Sequence, residues 1–328
     1  MGQALKGPDR SPKEPIPEAR EGLLLQSYAP SMQRLLASAR RAAGSDATIL
    51  LSGESGVGKS FLARQIHLWS PRREKPFLMI DCASLLQRSQ EWSFGPRTSQ
   101  RRGVQRKLGR LAATEGGTLF LANIHDLPLF LQSEFARFLE KRSITTTVGE
   151  NPIDVRLIAA SSRDLAAAVQ AHQFLADLYY SLNIVSLCVP PLRERPADIL
   201  PLAEFMLAAA ACRNHRGSLR LSENATAAML RYPWPGNIRE LRNAMEAAAI
   251  LCRGDVIALE NLPQALSRHA ARVGTLLASK VSLDETERQY ILRVLSESQT
   301  LQKAAAVLGI NVTTLWRKRK RYKLDDGY

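Results

Sequence analysis

Gly53-Glu54-Ser55-Gly56-Val57-Gly58-Lys59-Ser60 fits the pattern G-x-x-x-x-G-K-[ST]. Glycines let backbone N–H groups wrap phosphates, and a helix opening at the end of the loop adds positive potential. Lys59 is then placed to reach the β and γ phosphates of a nucleoside triphosphate, and Ser60 to ligate Mg²⁺. A second chemical segment lies at the other end, LQKAAAVLGINVTTLWRKRKRYKL at 301–324. A short helix, a turn at Gly309 and a basic second helix capped by Asn311 match the grammar of a helix-turn-helix. Val312, Leu315, Trp316 and Tyr322 are expected to pack inward, which leaves Thr313, Thr314, Arg317, Lys318 and Arg321 for the major groove of double-stranded DNA. Arg and Thr suit base edges, and the remaining lysines suit phosphates. One such module reads a half-site, so specific binding calls for a dimer on a near-palindrome, with affinity that falls steeply with salt.

These segments need elements to position them. The stretch 31–43 has amphipathic helical spacing, and the apolar run 47–51 leads into the glycine-rich loop, giving strand, loop and helix in order. Strand-like runs follow at 77–80, 118–121, 155–160 and 184–189, alternating with helix-length segments such as 129–141, which indicates an α/β fold with a parallel sheet. After Pro190-Pro191 the pattern becomes purely helical, near 196–213, 222–231 and 238–251. The expected organisation is a flexible tail at 1–22, a nucleotide-binding subdomain at 23–190 and a helical lid at 191–266. A linker at 267–282 then leads to an all-α helix-turn-helix domain at 283–328 whose first helix begins near Leu283.

The 328 residues carry 45 Lys and Arg against 31 Asp and Glu, a net charge of +14. Such an excess usually serves a polyanion. It is concentrated in two places free of acids, the segment 317–323 and the loop 97–110 with Arg97, Arg101, Arg102, Arg106, Lys107 and Arg110. The loop is either a solvated charged surface or a contact for DNA phosphate or an acidic protein. With 45% hydrophobic and 23% charged residues the composition is globular, and no apolar run approaches the roughly 20 residues of a membrane span. No membrane association and a cytoplasmic location are expected. Cys82, Cys188, Cys212 and Cys252 lie far apart without C-x-x-C spacing, so neither disulfides nor zinc is supported, and buried free thiols are expected.

Beside the phosphate loop stand EGGTLFL at 115–121, PPLRERPADI at 190–199, YPWPGNIREL at 232–241 and LWRKRKRY at 315–322. With these motifs, residues from about 25 to 324 resemble the AAA+ transcription activators that act on sigma-54 RNA polymerase, with their Fis-type helix-turn-helix. The resemblance implies ATP and Mg²⁺ as cofactors, an AAA+ P-loop sheet with a helical lid, assembly into a homo-oligomer such as a ring, and sigma-54 as partner. It implies also that Arg239 touches bound nucleotide as the second sensor arginine. Because the resemblance starts near residue 25, a member without a preceding receiver domain is expected.

Several positions depart from the family. Its acidic pair after EGGTLFL, Asp for the Mg²⁺ shell and Glu to polarise the attacking water, is Ala122 and Asn123 here. Neither side chain supplies negative charge or accepts a proton. The two arginine-finger positions fall on Leu175 and Ser181 in FLADLYYSL. The first sensor reads Ser161-Ser162, and the Asn that pairs with the catalytic Glu is Asp81, so Asp81 and Asn123 resemble an exchanged pair. The exchange could preserve a hydrogen bond, and Asp81 could recruit Mg²⁺, although its strand suits sensing better than base work. The GAFTGA loop that relatives present to sigma-54 is replaced by SFGPRTSQRRGVQRKLGRL at 93–111. The expected function is therefore a sequence-specific DNA-binding regulator that binds ATP but is impaired in hydrolysis and in sigma-54 contact. The alternatives are a working ATPase that remodels sigma-54 polymerase, or a partner that co-assembles with an intact paralogous activator.

Overall fold

The computed structural model describes residues 27–84, 114–141, 143–146, 149–269, 283–298, 300–322 and 324. The tail 1–22, the basic loop 97–110 and most of the expected linker lie outside the described residues. The chain divides into two compact units, Met1–Leu266 and Ser267–Tyr328.

In the first unit the strands are β1 (Ile49–Ser52), β2 (Phe77–Asp81), β3 (Thr118–Ala122), β4 (Ser143–Thr146), β5 (Gly149–Pro152), β6 (Arg156–Ser161), β7 (Val185–Cys188), β8 (Arg220–Leu221) and β9 (Val256–Ile257). Its helices are α1 (Pro30–Ala43), α2 (Lys59–Leu68), α3 (Leu129–Lys141), α4 (Leu165–Gln170), α5 (Ala176–Leu182), α6 (Pro196–Arg213), α7 (Glu223–Arg231) and α8 (Asn237–Leu251).

Five strands form a parallel sheet in the order β2-β3-β6-β1-β7, while β4 and β5 make a separate antiparallel hairpin. Every residue of β3 and β6 is buried, as expected of inner parallel strands covered on both faces. Alternation along the strands divides the core in two. Ile49, Leu51, Phe120 and Ile158 pack with Leu36 and Ala39 of α1 and Leu62 and Ile66 of α2. Leu50, Leu119, Leu121 and Leu157 face the other way, onto Phe135 of α3 and Leu178 of α5. Arg156 is buried on β6, and its guanidinium donates to the carbonyls of Ala43 (2.9 Å) and Ala42 (2.8 Å). A cation thus meets carbonyls of the last turn of α1, where the helix dipole favours positive charge.

The lid is built from α6, α7 and α8 around Trp234, Leu241, Met245 and Met206. Trp234 is fully buried, packs edge-on to Tyr232 and donates Nε1–H to the carbonyl of Met229 at 2.9 Å. The lid is not purely helical: β8 and β9 pair in parallel and clip the segment before α7 to the segment after α8. These strands are two residues each, too short to leave a periodic trace in the sequence.

Among the residues described from 283 onward, the second unit has the helices α9 (Leu283–Glu297), α10 (Leu301–Leu308) and α11 (Val312–Arg321). They meet on Ile291, Val294, Ala304, Ala305 and Leu315. Thr300 caps α10, Gly309 ends it with φ +65°, and the Asn311 side chain accepts from the Thr313 N–H to open α11. Two expectations are corrected here. Residues 264–269 are helical, so the first part of the expected linker continues a helix. Only Cys82 and Cys252 are buried, whereas Cys188 and Cys212 are exposed. Among the described residues no helix is long and apolar enough to cross a membrane.

Candidate nucleotide site and recognition helix

The loop from Gly53 to Gly58 leaves the carboxyl end of β1, at the edge of the sheet where open α/β folds bind ligands. Gly53 and Gly56 hold φ of +135° and +80°, and a Cβ on them would meet the carbonyl oxygens of Val189 at 2.5 Å and Gly236 at 2.3 Å. Only glycine lets the loop turn there while Gly53 lies against the segment after β7 and Gly56 against the lid. Gly58 offers α2 no side-chain cap, so the first-turn N–H groups are left for an anion. Lys59 is buried and its Nζ donates to the carbonyls of Gly53 (2.6 Å) and Glu54 (2.8 Å). Burial, aided by the nearby charge of Arg239, brings its pKa down to about 8. These features fit the phosphates of a nucleotide.

The lid is fastened to this loop by its own side chains. The Glu54 carboxylate accepts both guanidinium nitrogens of Arg193 (2.9 and 2.6 Å) and the Asn237 amide (3.0 Å), which hold its pKa down to about 2. Asn237 also donates to the Ser55 carbonyl (3.1 Å) and accepts from the Leu192 N–H (2.8 Å). Arg239 donates to Ser55 Oγ at 2.9 Å, and buried Arg195 donates to the Val57 carbonyl at 3.0 Å. The sequence places Glu54 and Ser55 among nucleotide contacts, whereas their side chains face the lid. Arg239 is thereby brought against the loop.

Beside the loop, Met32, Leu36, Val57, Phe61, Leu202 and Ile238 line an apolar cavity bordered by Arg195 and Asp198. Sequence reasoning missed both of these residues. Asp198 accepts from Ser27 Oγ (2.6 Å) and from the N–H groups of Tyr28 (2.6 Å) and Ala29 (3.3 Å), pinning the entry to α1 against the lid. The charged RERPAD run held the signal, since most of the lid around it is apolar.

At the end of β3, Ala122 is buried and Asn123 takes a left-handed conformation, φ +53°. Asn123 Nδ2 donates to Asp81 Oδ1 at 3.0 Å, and the same oxygen accepts from the Ala83 N–H at 3.2 Å. The exchanged pair is therefore hydrogen-bonded. Next to it lies a residue unnoticed in the sequence, His125. Its ring contacts Ser161 Oγ (3.2 Å), Ser162 Oγ (3.4 Å) and the Asp126 carboxylate (3.6 Å). Burial lowers its pKa, so the imidazole is neutral at pH 7. Leu175 packs against the core of the sheet, and Ser181 Oγ donates to the Asp177 carbonyl within α5 at 2.8 Å. For Mg²⁺ the protein donors are few: the Ser60 hydroxyl and, beyond it, a carboxylate at Asp81 already engaged by Asn123. Among the described residues no group of three or more His, Cys, Asp or Glu is placed to hold a metal ion.

In the second unit, α11 turns Leu315 inward and leaves Asn311, Thr313, Thr314 and Arg317 exposed. Thr313 Oγ1 is spent on Asn311 Oδ1 at 3.2 Å. Two expectations are corrected, and two of the side chains expected at the groove are already paired. Trp316 and Val312 stand 57% and 38% exposed instead of packing inward. Lys318 is drawn onto α9 by Glu287 at 2.5 Å, where the Tyr322 hydroxyl also donates. Arg321 meets Asp284 at 3.0 Å. Acids on α9 compete for these two cations, a three-dimensional relation absent from the helix's own pattern. The Arg321 pair is largely solvent-exposed, so breaking it costs about 0–1 kcal/mol, whereas Lys318 serves the domain's own packing.

Comparison with known proteins agrees with this geometry. Residues 25–188 match the Sigma-54 interaction domain, 193–277 the AAA+ ATPase lid domain, and 282–322 the bacterial regulatory protein, Fis family. The chain is 43% identical over 311 residues to the alginate biosynthesis transcriptional regulatory protein AlgB of Pseudomonas aeruginosa, covering 93% of this chain and 69% of AlgB. It is 40% identical over 298 residues to the transcriptional regulatory protein ZraR of Escherichia coli, covering 89% and 67% respectively. The crystal structure of NtrX from Brucella abortus in complex with ATP superposes with a TM-score of 0.66 at 27% identity, covering 91% of this chain and 69% of NtrX. With all three family models matched in order over a parallel P-loop sheet, a lid and a helix-turn-helix, the chain belongs to the sigma-54-dependent AAA+ transcriptional regulators.

Proposed function

We infer that this regulator binds ATP as a structural or assembly ligand and hydrolyses it poorly. The observation that carries the reading is the pair at the end of β3, where Ala122 presents a methyl group and the Asn123 amide is spent on Asp81 at 3.0 Å. No carboxylate stands where the family polarises water, and an amide cannot take up a proton. The finger positions add nothing, since Leu175 and Ser181 are uncharged. Arginine fingers contribute about 10³–10⁵ in rate in related phosphoryl transfers. Binding keeps its parts: the loop's glycines, Lys59, the open N-terminus of α2 and Arg239. ATP bound by NtrX supports the same ligand here, with its base in the cavity beside Phe61 and Ile238. Mg²⁺ would be held by the phosphates, Ser60 and water, a weakened site.

The second unit reads double-stranded DNA through α11, two copies meeting a near-palindrome, and the whole works in the cytoplasm. Contact with sigma-54 polymerase is impaired because the loop at 93–111 lacks GAFTGA. Steady-state phosphate release tests the reading, with nucleotide binding measured in parallel and Lys59→Ala as the control for contaminating ATPase. Binding without turnover is expected. Turnover that Lys59→Ala abolishes, at the rate of an intact relative, refutes it.

A further inference from the structure

The recognition helix carries a large aromatic ring that lies outside the core formed by the described residues of its domain. The core of the second unit is Ile291, Val294, Ala304, Ala305 and Leu315, flanked by Leu295, Leu308, Ile310, Tyr322 and Leu324, and Trp316 is absent from it. At about 100° per residue around the helix, Lys318 and Tyr322 lie within about 60° of Leu315. That side faces α9, through Glu287 and Asp284. Trp316, Lys320, Thr313 and Arg317 fall about 100° to 200° from Leu315, on the opposite side. Trp316 is 57% exposed there, and Lys320 Nζ lies 5.5 Å from its ring centroid. No acidic residue occurs in α11.

An apolar ring set among cations suits a polyanion whose surface also offers apolar groups. The major groove of DNA is such a surface, because the thymine 5-methyl is the apolar group displayed on its floor. We propose that Trp316 is a specificity-determining residue that packs against thymine 5-methyl groups in the major groove, with Arg317 beside it on the base edges. Lys320, held near the ring, is positioned to turn to the flanking phosphate. The proposal rests on the reading of α11 as the DNA-recognition helix and adds the base that it prefers. An acidic protein partner is the competing occupant.

The test uses the full chain. Selection from random duplexes defines the preferred site, and each thymine in it is then replaced singly by deoxyuridine, which removes only the methyl. In the wild type, one or two such replacements per half-site should weaken binding about fourfold, the equivalent of about 0.8 kcal/mol for one buried carbon. Trp316→Ala should bind the thymine site more weakly and lose that sensitivity, while helical circular dichroism and melting stay unchanged, as expected for a side chain outside the core. A wild type indifferent to every thymine replacement overturns the proposal without recourse to any variant. So does a Trp316→Ala protein that keeps the wild-type sensitivity, or one that keeps specific DNA binding unchanged. Selection that enriches no sequence at all would instead remove the DNA reading on which the proposal stands.

Discussion

Asn123 Nδ2 lies 3.0 Å from Asp81 Oδ1, so amide and carboxylate stand bonded across the ends of β3 and β2 in the reverse of the arrangement implied by the family resemblance. The hydrogen bond that spans the two strands survives, but the acid has moved one strand away from the position that polarises water. The contact between the strands is kept, while the carboxylate stands on β2 instead of at the end of β3.

Reversing the pair tests this directly. The combination Asp81→Asn, Ala122→Asp and Asn123→Glu restores a base, which is worth about 10²–10⁴ in rate where general bases are removed elsewhere. Turnover should rise by up to that factor and remain below that of an intact relative until Leu175→Arg and Ser181→Arg are added. Phosphate release at saturating ATP and Mg²⁺ measures it. No gain from either set would show that the altered residues do not limit the rate.

Lys59, with a pKa brought down to about 8, should couple nucleotide binding to protons. Phosphate raises the pKa of the ammonium, so binding takes up protons around pH 8, and affinity falls as pH rises through the free-site value. Calorimetry in buffers of different ionisation enthalpy detects the uptake. Lys59→Ala should abolish both the uptake and tight binding.

The Glu54 latch should be insensitive to pH over the ordinary range. Its pKa is held to about 2 by Arg193 and Asn237, so it stays ionised from pH 5 to 9. Glu54→Gln should speed hydrogen exchange in residues 192–195 and 237–240 at every pH in that window. Unchanged exchange would show that the remaining bonds from Asn237, Arg195 and Arg239 hold the lid without it.

Trp234 fills the centre of the lid with its indole fully buried. Trp234→Ala should destabilise the first unit by about 3–5 kcal/mol through the cavity and the lost Nε1 bond. Chemical denaturation reads the change. Melting of the second unit should be unaffected.

Arg317 and Lys318 should separate although they are adjacent. Arg317 is exposed, so Arg317→Ala should cost about 1–3 kcal/mol of specific DNA binding with little effect on folding. Lys318 holds Glu287, so Lys318→Ala should lower the melting temperature of the helix-turn-helix and change sequence preference less. Gel shifts and thermal melts on the same proteins distinguish the two effects.

Much of this architecture was legible in the sequence because it depends on local patterns. The glycine loop between Leu51 and Lys59, the apolar runs of β3 and β6, and Gly309 with Asn311 each report a neighbourhood a few residues long. What escaped depends on residues distant in the chain. Asp198 acts on residues 27–29, some 170 positions away, and Lys318 is claimed by an acid on another helix. His125 drew no attention because an isolated histidine carries no spacing signal, and only the fold brings Ser161 and Ser162 to its ring. Trp316 looked like core because tryptophan usually is, yet α11 meets its neighbours through Leu315 and Tyr322 and through the pairing of Lys318 and Arg321 with acids on α9.

Steady-state phosphate release by the purified chain, with ATP binding measured on the same preparation, weighs most heavily on the proposed role of the nucleotide. Bound ATP with turnover no higher than in Lys59→Ala is the predicted result. Turnover at the rate of an acid-bearing and finger-bearing relative assayed alongside, and lost in Lys59→Ala, would contradict it.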